Sequence, residues 1–296
     1  MSNNTEITVD DLDEKLLDLL KGYVVKKDLV REIKSGENVP VFVLEYLLAD
    51  AASTTNKEEI RRGLENVKSI LRKNYVDPET SEKVKADVRS KGSLKIIDRI
   101  EVKLDTKHDL FWASLTNSNI NDANIVEHQI EEHEKMLTGG VWSIIDLGYD
   151  PSRKVGNKRH PFVIENLKPI QLSRFPEGKV GDVRSEFTKE EWKKILLRSV
   201  GLEPTAEDMD DRTIMLLLSR LIPLVERNFN MIELGPRSTG KSFTFRELSP
   251  YGILLSGGQA TVAQLFINLN TNEIGLVGMW DTVAFDEVAG IKFKQK

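Results

Sequence analysis

The chain holds 296 residues, with 42 Lys+Arg against 47 Asp+Glu and a formal net charge of −5. Apolar residues make up 40% and charged residues 30%, a globular balance that excludes wholesale disorder and suits about two domains. Cysteine is absent, which rules out a disulfide scaffold, thiolate zinc sites and a cysteine nucleophile.

The N-terminus, MSNNTEITVDDLDEK, is acidic and lacks the apolar run of a secretory signal. Residues 1–92 read as helices. Leu12, Leu16, Leu19 and Leu20 form one apolar stripe, interrupted at Gly22. Val25, Leu29 and Ile33 continue at fourfold spacing up to Gly36. Pro40 opens a further helix that turns Val43, Leu44, Leu47 and Leu48 inward. Asn56 and Glu59 have capping-box spacing ahead of Ile60, Leu64, Val67 and Leu71.

From residue 93 the period changes to two. Leu94, Ile96, Ile100, Val102 and Leu104 share one parity, and Lys95, Arg99, Glu101 and Lys103 the other, as in a half-buried strand with a charged outer face. Residues 110–115, 141–147 and 162–167 are further strands, and 125–137 a short acidic helix. His128 and His133 stand five apart, which misses the fourfold spacing of a metalloprotease helix, so this helix reads as solvated. Trp112 and Trp142 read as core residues. Residues 151–186 read as loop and linker. They carry the densest basic cluster, Arg153, Lys154, Lys158, Arg159 and His160, and a looser one runs from Lys83 to Lys103. A solvated loop is the simpler reading of the first cluster, and contact with DNA phosphates the sharper one.

Thr188 and Glu191 start a helix carrying Trp192, Ile195, Leu196 and Val200, stopped by Gly201. A second helix over about 211–228 carries Ile214, Leu217, Leu218, Leu221 and Val225, with a kink at Pro223. Its most apolar part, 214–225, contains Arg220 and Pro223 and is too short to cross a bilayer. The expectation is a cytoplasmic protein with no membrane partner.

Residues 235–242, Gly235-Pro236-Arg237-Ser238-Thr239-Gly240-Lys241-Ser242, match G-x-x-x-x-G-K-[ST]. At average residue frequencies this arises by chance in about one such chain in a hundred. Glycines let backbone N–H groups close on phosphate oxygens, Lys241 reaches the β- and γ-phosphates, and the Ser242 hydroxyl ligates Mg2+. A strand over 230–234 and a helix over 241–248 supply the context that the motif requires. Downstream, a strand at 253–256 and a helix at 259–268 lead to Thr282-Val283-Ala284-Phe285-Asp286-Glu287. An apolar strand delivering two acids beside such a loop makes Asp286 the metal partner and Glu287 the base that polarises the attacking water.

The segments ELGPRSTGKS (233–242), SPYGILLSGGQATVAQLF (249–266) and IGLVGMWDTVAFDEVAGIKF (274–293) resemble the Lon-like ATPases of BREX bacteriophage-resistance systems. So do residues 12–48, 168–172 and 187–204, so the likeness covers nearly the whole chain. It implies an α/β fold: a helical plus β-rich N-terminal domain over 1–186 that binds DNA, then a truncated AAA+ (P-loop NTPase) parallel-sheet core over 187–296. It implies ATP and Mg2+ as cofactors, a hexameric ring and contacts with other BREX components. By motif match, Gly235 to Ser242 become the nucleotide loop, Asp286 the metal partner and Glu287 the hydrolytic acid. The loop of the family often carries glycine where Ser238 stands, and serine accepts positive φ less readily. The sensor strand, arginine finger, lid and Lon-like domain do not fit in Val288 to Lys296, so the expectation is the N-terminal part of such a protein, which binds nucleotide and hydrolyses it poorly. The alternative is an ATP-dependent Lon-type protease or unfoldase acting on protein substrates.

Overall fold

The computed structural model describes residues 9–20, 22–34, 39–52, 54–137, 139–170, 177–207, 209–256, 260–269 and 273–287. It divides into two compact units, residues 1–177 (unit 1) and 178–296 (unit 2).

Unit 1 opens with five helices: α1 (Asp11–Leu19), α2 (Lys27–Lys34), α3 (Val41–Ala51), α4 (Lys57–Asn74) and α5 (Ser81–Lys91). The apolar stripes of α2, α3 and α4 face inward as the spacing predicts, whereas in α1 Leu16 and Leu17 are buried and Leu12, Leu19 and Leu20 only half-buried. Leu29, Ile33, Val43, Leu44, Leu48, Ile60, Val67 and Leu71 share one buried cluster. The predicted stop at Gly36 lies outside the described residues. Asn56 caps α4 by accepting from the N–H groups of Glu58 and Glu59. The reciprocal half of the box is replaced, because the Glu59 carboxylate accepts from Thr54 Oγ1 at 2.8 Å. Gly63 lets α4 approach α3, since a Cβ there would meet the Ala51 carbonyl oxygen at 2.1 Å.

Five strands then close a barrel: β1 (Ser93–Asp105), β2 (Leu110–Leu115), β3 (Ile120–Asn124), β4 (Val141–Tyr149) and, after the small hairpin β5 (Lys154–Val155) and β6 (Lys158–Arg159), β7 (Phe162–Pro169). The order around the barrel is β1-β2-β3-β7-β4. β1 makes closure possible because its first part pairs with β4 and its last part with β2. The seam between β3 and β7 is parallel, at Asn124 and Val163. The expected 125–137 helix is α6 (Glu127–Glu131) followed by a 3-10 turn at Glu134–Leu137.

Three residues depart from the alternation in β1. Ile97, on the expected outer parity, is fully buried in the helical cluster, so both faces of the strand are covered there. Asp98, on the inner parity, is also fully buried. Its carboxylate accepts from the N–H of Asn117 and from the N–H and hydroxyl of Ser118, tying down the β2–β3 turn. Leu104, expected inside, is 49% exposed where β1 runs past the barrel.

Unit 2 contains α7 (Glu177–Ser185), α8 (Lys189–Ser199), α9 (Asp211–Ser219), α10 (Ile222–Val225), α11 (Lys241–Glu247), β8 (Gly252–Ser256), α12 (Val262–Leu265), β9 (Ile267–Asn268), β10 (Glu273–Ile274), α13 (Leu276–Met279) and β11 (Thr282–Asp286). Thr188 and Glu191 complete the predicted capping box of α8, and Gly201 ends its last turn at φ +82°.

Several expectations are corrected. The 151–186 linker contains the β5–β6 hairpin, the rest of β7 and α7, although residues 171–176 lie outside the described set. The 211–228 helix is broken at Arg220 and Leu221 rather than kinked at Pro223, because the short α10 takes that proline into its first turn, where no N–H is needed. The 230–234 strand pairs with no strand among the described residues, and Ile232 and Leu234 stay about nine-tenths exposed. The 259–268 helix shrinks to α12, since Ile267 and Asn268 pair with Ile274 and Glu273 as a ribbon; Gln259 lies outside the described residues. The parallel core consists, among the described residues, of β8 beside β11. No helix is long and apolar enough to cross a membrane, among the described residues.

Candidate functional site

The glycine-containing loop runs from Gly235 into α11, whose first two residues are Lys241 and Ser242. Gly240 precedes the helix in left-handed backbone, φ +78°, a conformation open to glycine at little cost. Ser238 adopts the same region at φ +65°. The loop therefore carries one strained non-glycine residue, Ser238.

Lys241 folds back over the loop. Its Nζ donates to the Gly235 carbonyl at 3.2 Å, to the Pro236 carbonyl and to Thr239 Oγ1 at 3.1 Å. A cation held by neutral acceptors at the loop mouth is one that phosphate oxygens can draw away. Pro236, Arg237, Ser238 and Thr239 are exposed, as is Gly235.

β11 runs parallel to β8, with Asp286 in register with Ser256, so both strands deliver their carboxyl ends to one side. There the Ser242 hydroxyl donates to Asp286 Oδ2 at 2.6 Å. These side chains are 44 residues apart in sequence and are brought together by the fold. The hydrogen bond from Ser242 holds the Asp286 carboxyl below its usual range, helped by the Glu287 N–H and by the charges of Arg246 and Lys241. An ionised carboxylate beside a hydroxyl is a hard-oxygen donor set. It suits Mg2+, which takes few protein ligands and leaves its other positions to water and phosphate. No group of three or more His, Asp or Glu side chains at metal-binding distance occurs among the described residues, His128 and His133 included.

Glu287 follows directly, exposed and at φ +55°. Its N–H donates to Asp286 Oδ1 at 3.0 Å, so the two acids are locked to one another through the backbone.

Sequence reasoning missed Arg220, and read it only as an interruption in an apolar stretch. Arg220 is 8% exposed. Its Nε and Nη2 grip the Glu233 carboxylate at 3.0 and 2.6 Å, and Nη1 donates to the Thr239 carbonyl at 2.7 Å. One guanidinium thus joins the residue before Leu234 to the far limb of the loop. A planar fork with fixed donors suits this double role, which lysine could not fill. Nothing local in sequence marks it, since Glu233 and Thr239 are its neighbours only after folding.

Comparison with known proteins gives two family matches. Residues 18–149 match the model for the BREX system Lon protease-like protein BrxL N-terminal region. Residues 162–296 match the Lon-like protease BrxL-like ATPase domain, a span that includes the loop and both acids. Among curated proteins, the Lon-like protease BrxL of Escherichia coli O9:H4 (strain HS) is 49% identical over 286 residues, which is 97% of this chain and 41% of that protein. The Lon-like protease BrxL of Bacillus cereus (strain H3081.97) is 47% identical over 290 residues, 97% of this chain and 42% of the relative. The chain thus spans about two fifths of the length of these relatives.

Proposed function

The chain belongs to the BREX Lon protease-like BrxL family, and from that premise we propose that it is the ATP-binding portion of a phage-defence ATPase that acts on DNA. The observation that carries the nucleotide reading is the meeting of Ser242 and Asp286 beside the Lys241 loop. In this reading the backbone of Gly235 to Gly240 wraps the phosphates, and Lys241 leaves its carbonyl partners to neutralise the β- and γ-phosphates. Ser242 Oγ and the Asp286 carboxylate hold Mg2+, which supplies charge neutralisation on the phosphates when bound. Glu287 accepts the proton of the attacking water. Ring assembly and contacts with other BREX components belong to the same proposal.

Titrating ATP–Mg2+ into the chain in a calorimeter tests it. The expected result is saturable binding that Lys241→Ala weakens by about a hundredfold or more, since a charge on the phosphates is lost. Binding that survives Lys241→Ala unchanged overturns the assignment of the loop.

The name that both relatives carry, Lon-like protease, favours a second reading, in which ATP drives unfolding or proteolysis of protein substrates. DNA retention separates the two. DNA held at low salt and released steeply as salt rises supports the first. No retention even at low salt supports the second.

A further inference from the structure

The barrel order β1-β2-β3-β7-β4, with a helix between the third and fourth strands and a parallel seam between the third and the last, is that of the oligonucleotide/oligosaccharide-binding barrel. In such barrels ligands lie on the face of the second and third strands, between the first loop and the loop joining the last two strands. Here that place holds a cavity of about 670 Å³. Its lining comes from the end of β1, the β1–β2 loop, β2, β3 and the β5–β6 hairpin, segments brought together only by barrel closure.

The chemistry of the cavity selects among ligands. Trp112, expected in the core, lines it with its ring 4.5 Å from that of His160. The pair is fixed from behind. Trp112 Nε1 donates to Asp105 Oδ2 at 3.3 Å, and His160 Nδ1 lies 2.8 Å from Asp122 Oδ2. Both acids in the lining are therefore engaged by ring nitrogens. Lys107 and Lys158 stand exposed on opposite loops at the rim and form no ion pair among the described residues. Lys154 and Arg159 extend the positive surface along the hairpin, where they are cross-strand partners. The densest basic cluster of the sequence is thus a structured arm beside an aromatic floor.

We propose that this cavity is a binding site for single-stranded nucleic acid, with a base stacked against the Trp112–His160 pair and phosphates held by Lys107, Lys158 and the hairpin. The proposal rests on the DNA-directed reading above, and adds to it the place of contact and the strand form. An aromatic surface recognises the face of a base, which a duplex hides in its stack. The basic rim selects a polyanion over a neutral sugar.

Fluorescence anisotropy with labelled oligothymidylate and with a duplex tests it on the full chain. The strand is expected to bind more tightly than the duplex. Trp112→Ala should weaken strand binding about tenfold or more, while Trp112→Phe retains most of it. The double variant Lys107→Glu, Lys158→Glu should weaken binding and lower its salt slope by about 0.7 for each phosphate that is no longer neutralised. If Trp112→Ala unfolds the barrel, the lysine pair decides, because both side chains are exposed. DNA binding that none of these variants changes overturns the cavity but leaves the DNA reading standing. A duplex bound as tightly as the strand, with the same loss on Trp112→Ala, overturns the strand form. Absence of binding to either form overturns both readings.

Discussion

Unit 1 encloses most of its large aliphatic side chains in two clusters, one among the helices and one inside the barrel. In unit 2 the elements around the 235–242 loop leave theirs in solvent: Leu216 is 61% exposed, Ile232 89% and Leu234 91%. What orders the loop is instead polar, the Arg220 fork on Glu233 and Thr239 and the bond from Ser242 to Asp286. The barrel and helices are held by area removed from water, which no ligand need supplement. The candidate nucleotide site is held by a few directed bonds, and a ligand that binds only the folded form adds to its stability directly.

The widest separation between the units is in core truncation. Leu44→Ala, at a fully buried site, should cost unit 1 about 2–5 kcal/mol. Leu216→Ala, on exposed α9, should cost unit 2 no more than about 0.5 kcal/mol. Denaturant unfolding followed by hydrogen exchange in each unit measures both. A cost at Leu216 as large as that at Leu44 would break the comparison.

Arg220→Met asks the same question of the polar clamp. Removing one partner of a buried pair costs about 3–5 kcal/mol, and the Glu233 side chain is 26% exposed, so about 2 kcal/mol is expected in unit 2. Exchange in the barrel should stay unchanged, while ATP affinity falls as the loop loosens. An unaltered loop, judged by exchange at 235–240, would sink the clamp.

Legibility in the sequence followed the same division. The unit 1 helices were readable because burial imposes a period, as Leu29 and Ile33 or Val43, Leu44, Leu47 and Leu48 show. β3 was not, because INDAN is polar; its place depends on pairing and on Asn124 Nδ2 donating to the His160 and Phe162 carbonyls. α7 was hidden by the glycines of EGKVGDVRS. The 230–234 segment misled in the other direction, since Met231, Ile232 and Leu234 look like a strand whether or not a neighbour pairs with it. Ser242 and Asp286 were singled out in the sequence because the loop pattern and the acidic pair each prescribe a residue type, and the fold brings them within hydrogen-bonding distance. Arg220 and the Trp112 cavity were not, since each is assembled from segments that only the fold brings together.

Acid exposes two opposed groups within unit 1. Hydrogen bonding from His108 first, with the Lys107 N–H and Trp112 adding to it, lowers the Asp105 pKa from 3.8 to about 2. A depressed carboxyl contributes stability above its unfolded pKa, so this contribution is lost as pH falls from 3.8 through about 2. Asp98 has the reverse sign, because burial raises its pKa above 3.8 and its ionised form opposes folding. Its contribution is present below 3.8 and fades as pH rises through the folded value. Asp105→Asn should therefore lower the unfolding midpoint at neutral pH and converge on the parent chain toward pH 2. A constant gap down to that pH would show that Asp105 acts through shape alone.

Within the loop itself a small effect is expected at Ser238. Left-handed backbone costs a non-glycine residue about 1–2 kcal/mol, so Ser238→Gly relieves strain at φ +65°. Glycine also gives the unfolded chain more freedom to lose, worth about 0.5–1 kcal/mol against folding. The two nearly cancel, and the net gain in unit 2 should stay below about 1 kcal/mol, with ATP affinity changed by no more than about threefold. Gly240→Ala is the control, because at φ +78° it meets the same strain with the entropy term reversed, and should destabilise the loop. If Ser238→Gly instead stabilised unit 2 by more than Arg220→Met destabilised it, backbone strain in the loop would outweigh the clamp, and the polar account of this unit would fail.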